Sequence, residues 1–147
     1  MKAQPFVVTP DVYDPALNVL GIQVIRLAPS TATQAYEVTR QRGDEGMGPP
    51  PHSHGWDETF YVIAGEIEFI CDGKSTVCTP GTLVHVPANT VHSFRYITSN
   101  CDVLEVTGHG GHASRMFSAV HEAIPPGPPE LPKLLAVLAE NGVTVHL

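Results

Sequence analysis

The sequence predicts an all-β fold, an antiparallel sandwich or barrel, with a helix docked at its C-terminal end. Three observations carry this expectation. Segments rich in Val, Ile, Thr, Tyr and Phe follow one another through the middle of the chain: QAYEVTR, ETFYVIAGEIEFIC, STVCTPGTLVHVP, TVHSFRYIT and DVLEVTG. Tight-turn pairs separate or interrupt them, namely Ala64-Gly65, Asp72-Gly73, Pro80-Gly81, Ala88-Asn89 and Ser99-Asn100. No helical pattern breaks into residues 34–107, which argues against alternating strands and helices, and even spacing with short turns fits a closed or double-layered β fold.

The elements follow in order. Residues 1–33 are weakly patterned and read as an N-terminal arm or edge strands. Residues 34–107 form the β core, and 108–147 a loop and helical extension of the same domain. A two-residue turn at Asp72-Gly73 places Cys71 opposite Lys74 and Cys78 opposite Ile67, so these two thiols do not face each other for bridging. With Cys101 the count is three, and reduced structural thiols in a cytoplasmic protein are the expectation. After the loop TGHGGH, Ser114 is placed to cap a short helix with Met116, Phe117 and Val120 on one face. LPKLLAVLAENG then carries Leu131, Leu134, Leu135 and Leu138 at helical spacing, with Gly142 as the stop. Such an apolar stripe reads as a packing helix rather than a moving lid.

Composition bounds the function classes. The 147 residues suit one domain with a real core. Lys and Arg total only eight against a net charge of −7, and no basic run appears, which disfavours nucleic acid and anionic membrane surfaces as partners. No apolar stretch reaches spanning length, and the first residues lack the long apolar run of a signal peptide.

The chemistry concentrates in PPPHSHGWDETF, residues 49–60. His52 and His54 are two apart, so in extended chain they share a face, and Glu58 keeps their parity. Two imidazoles and a carboxylate on one face form part of a site for a divalent first-row metal. Asp57 is the rival carboxylate, but its parity turns it away.

Here the sequence resembles the cupin superfamily. Gly46, MGPPP, His52-Ser53-His54, GWD, Glu58, TFYVIA and Gly65 match the first cupin motif at each fixed position. Gly81, TLVHV, Pro87-Ala88-Asn89, TV and His92 follow the second, with Asn89 in place of the turn glycine and Tyr96 in place of the final asparagine. Asn tolerates the left-handed geometry a turn glycine supplies. The two motifs span residues 46–96, and the run HSHGWDETFYVIAGEIEF is similar to small, single-domain quercetin-dioxygenase-like cupins.

That resemblance implies an antiparallel jelly-roll β-barrel with a C-terminal α-helix. It also implies one divalent transition metal ion (Fe, Ni, Mn, Cu or Zn) held by His52, His54, Glu58 and His92. Three imidazoles and one carboxylate leave positions open for a substrate, unlike a closed structural zinc site. It further implies a dioxygenase acting on a small aromatic or enolic substrate, with Glu58 as catalytic base. A metal-dependent isomerase, cyclase or lyase that needs no O₂, and a non-enzymatic small-molecule-binding cupin, are the alternatives, because the fold hosts all of these. Parity sends Phe60 and Val62 inward with Glu58, and Phe94 and Tyr96 inward with His92, as pocket lining. For Phe60 and Val62 plain core is the other reading. The Tyr96 phenol either meets a metal-bound ligand or finds a backbone partner. Tyr61, Ile63, Ser93 and Arg95 point outward. Trp56 covers the site or belongs to an interface. His85 lies on a face the pattern does not settle, His109 and His112 read as a solvated loop, and His121 and His146 carry no signal. The outward Tyr61 and Ile63 need cover, which a homodimer supplies; the terminal helix lying over the same strands is the competing account.

Overall fold

The computed structural model describes residues 2–147. Eleven strands form two antiparallel sheets. They are β1 (Leu17–Val19), β2 (Ile22–Ala28), β3 (Glu37–Gly43), β4 (His52–His54), β5 (Glu58–Ala64), β6 (Ile67–Cys71), β7 (Lys74–Cys78), β8 (Leu83–Val86), β9 (His92–Tyr96), β10 (Cys101–Thr107) and β11 (Val143–Val145). One sheet runs β1-β2-β3-β10-β5-β8 and the other β11-β4-β9-β6-β7. The two are not joined into one hydrogen-bonded ring, so the jelly roll is a two-sheet sandwich. Its inner faces meet through aromatic rings: Phe60 on β5 lies 5.1 Å from Phe69 on β6 and 5.8 Å from Phe94 on β9, centroid to centroid.

Alternation decides what the core receives. Phe60, Val62, Phe94 and Tyr96 are buried, while Tyr61, Ile63 and Arg95 are exposed, as period-two parity requires. Ser93 departs from that expectation. It faces away from Phe94 yet is buried, a small side chain on a strand flanked by β4 and β6. The hairpin at Asp72-Gly73 has both residues at positive φ, 52° and 80°, and pairs Cys71 with Lys74 and Cys78 with Ile67. All three cysteines are free. Asn89 takes φ 65°, the left-handed geometry its motif position demands.

Among the described residues, three short α-helices, α1 (Ser30–Thr33), α2 (Ala113–Ala123) and α3 (Leu131–Glu140), and one 3-10 turn at Pro10–Val12 accompany the strands. The C-terminal extension holds the short helix and the terminal helix that the sequence pattern marks, and a strand that it does not. Ser114 does not cap α2. The N-cap is His112, and Ser114 lies inside the first turn, its backbone N–H donating to Glu37 at 3.1 Å. Phe117 and Val120 are buried, with Met116 half-buried. On α3 only Leu134 and Leu138 are buried; Leu131, at the first helical position, is exposed, so the apolar stripe is shorter than its spacing suggests. β11 pairs with β4, setting Val145 opposite His52 and Val143 opposite His54. A three-residue strand has no readable period, which is why it escaped the sequence pattern. The helices pack on β1, β3 and β11 and leave Tyr61 and Ile63 exposed, so helical cover of that face is ruled out. No helix among the described residues is long and apolar enough to cross a membrane.

Candidate metal centre

β4 and β9 are neighbours, with His52 directly opposite His92. His54 follows two residues on, and Glu58 opens β5, where the sandwich brings the other sheet close. The outcome is a cluster in which one ligand-type nitrogen from each of His52, His54 and His92 lies within 4.8 Å of the others. The ring centroids stand 4.2 Å (His52–His92), 5.0 Å (His54–His92) and 5.7 Å (His52–His54) apart. Glu58 reaches into the same space: its Oε1 is 2.6 Å from His54 Nε2 and its Oε2 3.2 Å from His92 Nε2.

The orientation of the rings is set by backbone carbonyls. Nδ1 of His52 lies 2.8 Å from the Pro50 carbonyl, that of His54 3.0 Å from Trp56, and that of His92 2.8 Å from Thr90. A carbonyl only accepts, so each Nδ1 is the protonated donor. In the neutral ring Nε2 is then left with its lone pair. Such outer contacts are how metal-binding imidazoles are held in one tautomer. The Nε2 atoms of His54 and His92 and Oε2 of Glu58 are buried without a well-formed hydrogen bond. Lone pairs cannot face one another at 2.6 Å unless positive charge lies between them, either a proton on an imidazole or a cation shared by the cluster. The donor set therefore fits a divalent transition metal.

The titration directions agree. Burial alone would raise Glu58, but hydrogen bonds and charge from His54 and then His92 outweigh it and bring the carboxyl down to about 2. Burial works to lower His92, but its contact with Glu58 raises it above the ordinary histidine range. His52 is pushed down to about 4, by burial first and then by His92.

Beside the cluster is a cavity of about 80 Å³, several times the space one water needs. His52, Glu58, Phe60 and Phe94 line it, with apolar side chains from β1, β2, α2 and α3 completing the wall. The other two residues expected in the pocket are placed elsewhere. Val62 is fully buried core and is not part of this wall. Tyr96 lies four residues along β9 from His92, ~13 Å at strand rise, with Phe94 between them. It therefore does not stand beside the histidines. Its ring covers Gly43, where any Cβ would collide with it, and its hydroxyl has no hydrogen-bond partner, backbone included. Parity correctly turned Tyr96 inward but carried no information about depth along the barrel.

Trp56 stacks on His54 at 4.1 Å with planes 8° apart, and touches the His112 ring edge-on at 5.9 Å. It is a buried wall behind the cluster. Asp57 turns away and accepts the Ala88 N–H at 2.8 Å. His85 is exposed and bonds Thr59 at 3.1 Å; His109, His121 and His146 bond Ala35, Asn18 and Ser53. The sequence reading missed Gln41 and Glu105, two buried polar residues in the cavity wall. Their signal is inverted alternation: in DVLEVTG the polar Glu105 and Thr107 face inward while Val106 is exposed.

The family comparison agrees with this geometry. Residues 40–107 match the model described as the cupin domain. Residues 40–107 form a cupin domain. A stretch of 59 residues is 41% identical to quercetin 2,3-dioxygenase of Bacillus subtilis (strain 168), covering 40% of this chain but only 18% of that protein. Among solved structures, the chain resembles KdgF from Halomonas sp. (TM-score 0.68, 20% identity, 76% of this chain and 99% of that one). It also resembles an RmlC-like cupin from Shewanella frigidimarina (TM-score 0.66, 18% identity, 75% and 96%). At such identities these likenesses speak for the fold.

Proposed function

We propose that this cupin is a metal-dependent enzyme, a dioxygenase acting on a small, uncharged aromatic or enolic substrate, with His52, His54, His92 and Glu58 as the metal ligands. The observation that carries the reading is the convergence of buried Nε2 and carboxylate atoms that lack well-formed hydrogen bonds at the wall of a largely apolar cavity. The short identity to a quercetin dioxygenase supports the oxygen chemistry. A divalent transition metal bound there would supply Lewis acidity and, for a redox-active ion, reactivity toward O₂.

The chain's own residues do the rest. Phe60 and Phe94 flank the cavity and position a flat or apolar ligand with its oxygen toward the histidines. Glu58 acts as base: Oε2, which makes no well-formed hydrogen bond, takes the proton of the ligand's hydroxyl or enol. His54 and His92 hold the carboxylate ionised, the only form that can accept a proton. The apolar wall excludes water from the deprotonated ligand. A second copy of the chain covers the exposed face formed by Tyr61, Ile63, Leu83 and Val106.

Oxygen uptake tests the reading. The metal-loaded protein, screened against small enols and phenols, is expected to consume O₂ with at least one, and Glu58→Gln to lose about 10²-fold or more of that rate. Product formed equally well under argon would instead identify an isomerase, cyclase or lyase, and binding without turnover a ligand-binding cupin.

A further inference from the structure

The inner face of the six-stranded sheet carries a polar row that the metal centre does not use. Glu37, Thr39 and Gln41 on β3 stand opposite Thr107, Glu105 and Val103 on β10, and all but Val103 are polar residues placed in the buried interior. Glu37 uses both oxygens as a clasp: Oε1 accepts the Ser114 N–H at 3.1 Å and Oε2 the Ser30 N–H at 3.2 Å. Glu105 has no such duty. It lines the cavity together with Gln41.

A directed hydrogen-bond chain orients Glu105. Gln41 Nε2 donates to Thr39 Oγ1 at 3.3 Å, and Thr39 Oγ1 donates to Glu105 Oε1 at 3.2 Å. An amide nitrogen only donates, and a hydroxyl has one proton to pass on. Oε1 is therefore the accepting oxygen, and Oε2 is the position for a carboxyl proton. Burial, and then the charge of Glu58 and more weakly Glu37, hold this carboxyl well above the usual carboxylate range, against the bond from Thr39. A cation at the histidines would offset the Glu58 contribution and leave burial. No Lys or Arg lines the cavity, and His52 is the one basic side chain there.

The sheet sets the span. Thr107 is opposite Glu58 and Glu105 is opposite Phe60, so Glu58 and Glu105 are diagonal neighbours on one face, ~7–8 Å apart at Cα. One small molecule can touch both. We propose that Glu105, oriented by Thr39 and Gln41, is the specificity-determining donor of the cavity: its Oε2–H bonds an acceptor oxygen, of the ketone or ether type, on a small uncharged ligand. That the ligand's other end lies at the histidines rests on the proposed function above. A ligand without the acceptor leaves a buried O–H unpaired and is selected against.

Infrared spectroscopy at neutral pH tests this, with cyclohexanone as the probe. Wild type is expected to show a carboxylic-acid C=O band that vanishes in Glu105→Gln and moves to lower frequency when cyclohexanone is added. Glu105→Leu, checked for folding by circular dichroism, should bind cyclohexanone roughly tenfold more weakly, whereas Glu105→Gln, whose amide still donates, stays within a few-fold. Absence of the band, or a band unmoved by the ketone, overturns the proposal. The measurement runs with and without metal, and metal content is assayed on the same samples. A chain that takes up no metal but shows the band and its shift refutes the metal reading alone; metal uptake without the band refutes the role of Glu105 alone.

Discussion

The two ends of β9 hold buried polar groups of opposite character. At one end, His92 joins His52, His54 and Glu58, each ring pinned through Nδ1 so that its other nitrogen aims at a common point. At the other, the Tyr96 hydroxyl is equally buried but no side chain bonds it; its ring packs on Phe94 and over Gly43, and the charges of Cys101, Glu105 and Asp102 bear on the phenol without a hydrogen bond to it. Burial pushes the Tyr96 phenol up, so it stays neutral. An unsatisfied polar atom marks a site only where others point at it. Alone, it marks a packing compromise, here a tyrosine made to fit by a glycine.

That contrast can be broken at several points. Phe60, Phe69 and Phe94 form the aromatic partition between the two ends. Phe60→Ala should cost about 3–5 kcal/mol in urea unfolding, because a fully buried ring leaves a cavity. Gly43→Ala should cost about 1–3 kcal/mol by overpacking against Tyr96, and much of that loss should disappear when combined with Tyr96→Leu; a double-mutant cycle reads the coupling. Metal uptake should weaken as pH falls through the raised His92 value, with one proton released per ion bound below it, since that proton occupies the nitrogen a cation needs. His52, held near 4, should compete only in stronger acid; calorimetric titration in buffers of different ionisation heat checks the proton count. Tyr96→Phe should change stability by less than ~0.5 kcal/mol and leave metal uptake untouched, because the hydroxyl it removes has no partner to lose. A marked loss of metal in that variant would make the two ends alike after all.

The cluster of His52, His54, Glu58 and His92 was legible in the sequence because its information is local. His-x-His with Glu58 four residues on needs only strand parity, and the Asn89 turn announces where His92 begins its strand. The inward and outward faces of β5 and β9 were legible for the same reason, with Ser93 the exception. Depth along the sandwich was not, since parity is blind to it: Tyr96 lies away from the histidines, and Val62 takes the core position that was the other reading of it. Glu105 and Gln41 were hidden by chemistry: alternation normally puts the apolar residues inside, and on β3 and β10 the polar ones went in. Only the cross-strand register shows Glu105 against Thr39, where the two side chains bond; Thr107, opposite Glu37, keeps a hydroxyl without a partner, because Glu37 bonds Ser30 and Ser114 instead.

The central claim is that the four convergent side chains hold one metal ion. Elemental analysis of the protein purified without added metal, beside His92→Ala prepared in parallel, tests it directly. Close to one transition-metal ion per chain in the wild type, and a loss of most of it in the variant, is the predicted result. Equal metal in the two proteins would contradict the assignment.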